Sequence, residues 1–328
     1  MRKFLVNLVV LFCGFIFISG LSACATPLDT KPIYEAYVVK FNASSPNIEH
    51  TLQRKDGFSI NAREFGIAYK GKKPSIVMLH GFPDNQHLYD LLVAQLGSSN
   101  HVVTFDFLGW GQSDKPATHA YNVASQRLDL ETVVDKLNLS TINLVLHDLS
   151  GQSGIDWALD NASKISTLTL LNTYYTSMPT LIAPEAIEFY ASTGVLRDLA
   201  VWGATKAQGQ FKSGVNGQMS KFFSNAAVRD EFLPIITNSA GAIRPAFFSA
   251  TSFLWRELEA RQAAIPRLAT FKQPVHIIFG ADDPYLNVGV AKEFQRLFPN
   301  AKLDLIPKAG HYVQLDNAQA VAQTMLKP

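Results

Sequence analysis

The chain alternates between short apolar runs and longer stretches with helical spacing. Phe58–Phe65 alternates apolar and polar positions as a half-buried strand does, and a partner strand precedes it from about His50. Ser75–Leu79 and His101–Phe105 are continuous apolar runs, the pattern of parallel strands covered on both faces. Leu144–Leu146, Thr167–Leu171, Val275–Phe279 and Lys302–Ile306 complete the series. Helical spacing between them is clearest over Val123–Leu137 and Ala291–Phe298. This order predicts the α/β class, a mostly parallel eight-stranded sheet wrapped by helices. From about Thr176 to Arg267 the rhythm breaks: helix-compatible runs at 185–199, 219–232 and 247–262 follow one another without a strand. The break predicts a helical cap inserted after the sixth strand, over the carboxyl ends of the strands, where ligands bind in open α/β sheets. Such a cap would shape the pocket and exclude water. Its phenylalanines, among them Phe211, Phe222, Phe223, Phe247, Phe248 and Phe253, suit a cap core and an apolar pocket wall.

The first residues read as an address. Arg2 and Lys3 precede an apolar run from Phe4 to Ile18, too short and wrongly flanked for a transmembrane helix and suited to a secretory signal. Leu21-Ser-Ala-Cys24 resembles the bacterial lipobox, which implies cleavage before Cys24 and lipidation of its thiol. The resulting expectation is an exported protein, lipid-anchored in the bacterial cell envelope, with Ala25 pointing to the outer membrane. The expected boundaries are a signal over 1–23, a lipidated terminus and spacer over 24–47, a core over 48–175 and 268–328, and a cap over 176–267. Pro27, Pro32 and Pro46 suit the spacer.

Composition narrows the function classes. Without Arg2 and Lys3, 27 of the 29 basic residues remain, equal to the 27 acidic ones. A neutral chain without a basic run is poorly suited to nucleic acid. Cys13 and Cys24 are the two cysteines, so neither is left to form a disulfide in the core. The core is long enough to fold without one. No H-E-x-x-H, zinc-spaced Cys pair, P-loop or dinucleotide glycine fingerprint occurs, so neither a metal nor a cofactor is expected.

The chemistry concentrates at Ile142–Gln152, where an apolar strand ends in His147-Asp148 and small residues, Ser150 and Gly151, follow Leu149. This is the layout of a nucleophile elbow, a strained strand-to-helix turn that presents one side chain to the active site. Here that side chain is a carboxylate, which attacks a saturated carbon bearing a leaving group and becomes an ester. Ser150 fits the role less well, because Gln152 would then occupy a position that needs a small residue. A buried Asp capping the next helix would give the same local pattern.

Four further segments occur in a fixed order with the elbow: His80-Gly-Phe-Pro83, Asp106-Phe-Leu-Gly-Trp-Gly-Gln-Ser-Asp-Lys-Pro116, Gly280-Ala-Asp-Asp-Pro284 and Gly310-His-Tyr312. With His147-Asp148 they resemble the haloalkane dehalogenase and epoxide hydrolase branch of the α/β-hydrolase superfamily, over about Phe58 to Met325. The resemblance implies the α/β-hydrolase fold and the chain order nucleophile Asp148, acid Asp283, base His311. Asp282 competes for the acid; the Gly-x-x-Asp spacing and Pro284 favour Asp283. The oxyanion donors implied are the backbone N–H groups of Phe82 and Leu149. His80 is expected to hold the loop before Phe82, and Asp106 and Asp114 to brace their own loop.

The departures from that branch bear on substrate. Leu149 stands where dehalogenases place a halide-binding Trp, and Phe82 where they often place Asn; neither side chain donates a hydrogen bond. Cap residues Trp202 or Trp255 are candidates for a halide donor. Tyr174, Tyr175 and Tyr190 are candidates to protonate an epoxide oxygen. Leu146, where epoxide hydrolases tend to have Gly, favours a dehalogenase; Phe82 favours an epoxide hydrolase. The expected partners are a small apolar organic substrate, water, and the membrane through the lipid anchor. Ester or lactone hydrolysis on the same scaffold, and a non-catalytic lipoprotein that binds an apolar ligand, are the alternatives.

Overall fold

The computed structural model describes residues 47–238 and 240–327; the signal, Cys24 and nearly all of the spacer fall outside them. Eight strands form one sheet: β1 Ile48–Gln53, β2 Ser59–Phe65, β3 Ser75–Leu79, β4 Val102–Phe105, β5 Ile142–Asp148, β6 Ile165–Thr173, β7 Val275–Gly280 and β8 Ala301–Ile306. Their order across the sheet is β1-β2-β4-β3-β5-β6-β7-β8. β2 runs antiparallel to both neighbours and every other pairing is parallel.

Among the described residues the helices are α1 Asp90–Leu96, α2 Val123–Lys136, α3 Ser150–Asp160, α4 Glu185–Ala191, α5 Val195–Lys206, α6 Gln208–Met219, α7 Ala226–Asn238, α8 Arg244–Gln262, α9 Ile265–Leu268, α10 Val288–Leu297, α11 Val313–Asp316 and α12 Ala318–Met325. Every residue of β3 and β4 is buried, so helices cover both faces there. α1 packs on α12, and α2 on α3. Asn122 caps α2 by accepting from the Ser125 N–H at 3.1 Å, and Asn287 caps α10 by accepting from the Gly289 N–H at 2.9 Å. That second cap starts α10 nearly a turn ahead of the apolar run at 291–298.

The stretch between β6 and β7 is helical throughout, α4 to α9, but its pieces differ from the periodic runs. The run over 185–199 is two helices, because Gly194 sits at φ 117° between them, where side chains rarely go. α6 has no counterpart in the apolar pattern: it is polar and carries Gly209, Gly214 and Gly217. α7 lies later than the run at 219–232. α8 starts at Arg244, with Pro245 in its first turn, where the missing N–H costs nothing. No described helix is long and apolar enough to cross a membrane.

Candidate active site

β5 ends at Asp148 and α3 begins at Ser150, so one residue separates strand from helix. The turn holds Asp148 at φ 50°, a left-handed conformation that costs on the order of 1–3 kcal/mol for a non-glycine residue. Hydrogen bonds fix it there. The Thr173 hydroxyl donates to the Asp148 carbonyl at 2.6 Å. Ser150 Oγ accepts from the His147 N–H at 2.9 Å and lies 2.7 and 3.0 Å from the carbonyls of His147 and Leu79. Ser150 is fully buried and committed to the backbone. Gly151 is required by close approach: a Cβ there would stand 2.1 Å from Thr173 Oγ1 and 2.3 Å from the Tyr174 carbonyl. On the other side, a Cβ at Gly81 would meet the Asp148 Cβ at 2.5 Å, so the loop after β3 also depends on glycine to reach the elbow.

That close loop supplies donors. The Phe82 N–H donates to Asp148 Oδ1 at 2.8 Å, and the Leu149 N–H also donates to the carboxylate. His80 holds the loop: its Nδ1 lies 2.8 Å from the Gly81 carbonyl, and its Nε2 accepts from the Phe107 N–H at 3.0 Å. Asp106 accepts from the Gln86 and Gln112 N–H groups at 2.8 Å each, and Asp114 from the Ser59 N–H at 2.7 Å. These two carboxylates brace loops rather than face the cavity.

His311 stands 3.7 Å from Asp148 (Nε2 to Oδ2), and its Nδ1 lies 2.9 Å from Asp283 Oδ2. Asp282 is exposed, so only Asp283 of that pair reaches the histidine. The Tyr285 and Leu286 N–H groups and the Asn172 amide all donate to Asp283, at 2.8, 3.1 and 2.9 Å. Burial alone would raise the Asp283 carboxyl; the His311 charge and these donors hold it below the usual range. Burial disfavours charge on His311, yet Asp283, Asp148 and Asp84 together push it up to about 9. Burial lifts the Asp148 carboxyl above its ordinary value, against His311 and the two N–H donors. Asn172, at φ 28°, belongs to the site and has no signature in the apolar pattern of β6.

A second buried acid lies below. The Tyr312 hydroxyl donates to Asp84 Oδ1 at 2.7 Å, while Asp84 Oδ2 faces His147 Nδ1. The other ring nitrogen of His147 donates to the His311 carbonyl at 3.0 Å. Burial and repulsion from Asp148 push Asp84 up to about 7, and burial holds His147 well below the ordinary histidine value. Asp84 has no signature in the sequence pattern, and His147 has one only as the neighbour of Asp148. His87, another residue without an evident role in the sequence, pairs with Asp90 at 2.7 Å in a buried cluster with Arg63.

Asp148 and His311 open into a cavity of about 650 Å³ between the sheet and α4, α5, α6 and α8. Its walls are mostly apolar, with Phe82, Phe211, Phe222 and Phe247 among them. Tyr174, Tyr190 and Trp255 line it as well. Two candidate contacts are corrected. Tyr175 is fully buried away from the cavity and donates its hydroxyl to Asp156 at 2.7 Å, because adjacent side chains after β6 point apart. Trp202 faces solvent on α5, 65% exposed, and is not part of the cavity wall. The insertion is tied to the histidine turn: the His311 N–H donates to the Phe222 carbonyl at 2.9 Å, and the Asp316 carboxylate accepts from the N–H groups of Gly310, Ser224 and Asn225. Among the described residues no group of three His, Cys, Asp or Glu side chains could hold a metal ion.

The sequence profile of the alpha/beta hydrolase fold matches residues 74–318. The cis-3-alkyl-4-alkyloxetan-2-one decarboxylase of Xanthomonas campestris pv. campestris is 27% identical over 274 residues, 78% of this chain and 89% of that protein. The haloalkane dehalogenase of Mycolicibacterium paratuberculosis is 26% identical over 261 residues, 77% of this chain and 82% of that protein. An alpha/beta hydrolase fold protein from Burkholderia ambifaria superposes with a TM-score of 0.68 at 22% identity, over 85% of this chain and 99% of that one, a likeness that shows the fold.

Proposed function

Because this chain belongs to the alpha/beta hydrolase fold family, we propose that it hydrolyses an apolar electrophile through an alkyl ester on Asp148, resolved by water that His311 activates with the support of Asp283. The observation that carries this reading is the carboxylate of Asp148, held by the Phe82 and Leu149 N–H groups, 3.7 Å from His311, at the end of an apolar cavity. Ser150, the alternative nucleophile, has its hydroxyl occupied by backbone.

The two carboxylate oxygens have different surroundings. Oδ1, bound to the Phe82 N–H, becomes the ester carbonyl; Oδ2 attacks the saturated carbon and expels the leaving group. The ester removes one of the negative charges that raise His311, so alkylation lowers its proton affinity and readies it as a base. Water then adds at the ester carbonyl, and charge collects on Oδ1, which already accepts from the Phe82 N–H; losing one such donor costs typically ~3 kcal/mol. Tyr174 and Tyr190, which line the cavity, are the candidates to protonate a leaving alkoxide. The name of the Xanthomonas campestris relative supports a second substrate within the same chemistry, a four-membered lactone with alkyl chains, whose ring carbon also carries an oxygen leaving group.

The test is intact-protein mass spectrometry of His311→Gln after exposure to haloalkanes, epoxides and alkyl-substituted four-membered lactones. An adduct equal to a haloalkane less hydrogen halide, or to a whole epoxide, supports the ester on Asp148 and names the leaving group. No adduct from any class, with generic ester cleavage by the unaltered protein, would overturn it.

A further inference from the structure

α5 contains no buried residue, and four of its exposed side chains, Val195, Leu196, Leu199 and Trp202, are large and apolar. Val195, Leu199 and Trp202 recur at helical spacing and are 73, 59 and 65% exposed. Leu196, 62% exposed, and Leu199 are also cavity wall, so the apolar strip runs without interruption from solvent into the pocket. Trp255 of α8 and Ile182 share both properties. The Arg197 guanidinium is turned away, donating to the carbonyls of Tyr190 and Phe248, and the exposed charges left on this helix, Asp198 and Lys206, are of opposite sign. An exposed apolar patch that continues into a pocket marks an interaction surface.

We propose that this face is a lipid-docking surface, and that an amphiphile with a long apolar chain passes across it from a bilayer into the cavity. Three observations favour lipid over a protein partner. The strip is apolar without a charged rim of one sign, and the chain carries a formal net charge of only +2, which suits a zwitterionic bilayer. The residues before 47 include the lipobox-like Cys24, whose lipidation would hold the domain near a membrane. A spacer from Cys24 to Asn47 reaches about 25 Å as a coil and about 75 Å extended, against a radius of gyration near 19 Å for a domain of this size. The tether therefore permits this face to meet the bilayer. The docking half stands apart from the chemistry; the substrate half rests on the alkyl-ester reading.

The chain carries its own reporters. Of its four tryptophans, Trp110 and Trp157 are buried, while Trp202 and Trp255 lie on the proposed surface. The experiment mixes the full chain with phosphatidylcholine vesicles, plain or brominated on the acyl chains, and reads tryptophan emission. Docking gives a blue shift and at least a twofold loss of emission in brominated vesicles. Leu196→Glu with Leu199→Glu removes the quenching while the protein still sediments with vesicles through its N-terminus, and Trp202→Phe removes a large share of it without adding charge. Equal emission in plain and brominated vesicles, with the chain bound to both, overturns the proposal. So does a blue shift that grows with protein concentration in buffer alone, which would make the occupant a second copy. For the substrate half, His311→Gln is labelled with 1-bromoalkanes and 1,2-epoxyalkanes of increasing length. At least a tenfold rise in labelling rate from four to twelve carbons supports it. Labelling that falls with length overturns the long-chain assignment and leaves the alkyl-ester reading intact; no labelling at any length defeats that reading and leaves the docking result untouched.

Discussion

His147 Nδ1 and Asp84 Oδ2 face each other across 3.8 Å, both fully buried, and neither atom has a hydrogen-bond partner among the described residues. A proton on Asp84 would bring them into contact, and the carboxyl is pushed up to about 7, first by burial and then by Asp148. A carboxyl raised by folding binds its proton more tightly in the native state, so it takes stability away as pH rises from about 4 through 7. Asp84→Asn keeps the Tyr312 acceptor and supplies a donor to His147. Thermal unfolding of this variant should lose part of the decline between pH 4 and 7; an unchanged slope would show that Asp84 titrates like an ordinary surface acid.

His311 has the opposite sign. Burial works against its charge, but Asp283 and its neighbours push it to about 9, above the ordinary histidine value of 6.5. Its contribution to stability is complete below about 6.5 and is lost as pH rises to 9. The difference in melting temperature between the unaltered chain and His311→Gln should therefore be largest near pH 6 and shrink toward pH 9.5. A difference constant with pH would mean that the imidazolium is not bound by Asp283 and Asp148.

Gly151→Ala puts a methyl group against Thr173 Oγ1 and the Tyr174 carbonyl, neither of which is the free end of a flexible chain. Overpacking of this kind costs typically 1–3 kcal/mol, and the strain falls on the turn that aims Asp148. Because a displacement of about 1 Å can cost a hundredfold in rate, alkylation should slow by about that factor in a chain that still folds. Circular dichroism and the single-turnover adduct rate check this; a variant as stable and as reactive as the parent would mean that the turn yields.

Gly209 and Gly217 in α6 have nothing within 4 Å of an added Cβ. Replacing both by Ala should stabilise the helix by about 0.4–1 kcal/mol each, by restricting the unfolded chain. Hydrogen exchange over 208–219 should slow by severalfold, without a comparable change in the β-sheet. Faster exchange would mean that the glycines serve packing that the Cβ contacts do not reveal.

Much of the fold is legible in the sequence, because buried parallel strands leave continuous apolar runs such as Ser75–Leu79 and amphipathic helices leave a period, as at Val123–Leu137. Asp148, Asp283 and His311 are legible as an ordered set, and the structure brings the three together. What escapes is what distance in the chain conceals. Asn172 and Asp84 act through partners far along the sequence, Asp283 and Tyr312, so no local spacing announces them. Helix α6 escapes because polar residues and three glycines erase the periodic signal. Tyr175 and Trp202 were plausible by their position in the chain; one turns to Asp156 and the other to solvent, choices made by tertiary packing.

The Asp316 carboxylate gathers the N–H groups of Gly310, Ser224 and Asn225, so one side chain bolts the inserted helices to the turn that carries His311. The insertion is consequently not an exchangeable part. A chimaera that imports a relative's helices to alter selectivity must either place its junctions inside residues 220–225, keeping the native clasp, or carry the relative's own equivalent of Asp316 with it. A graft cut at the ends of β6 and β7, the boundary that the sheet alone suggests, would change the entrance and unseat His311 in the same operation.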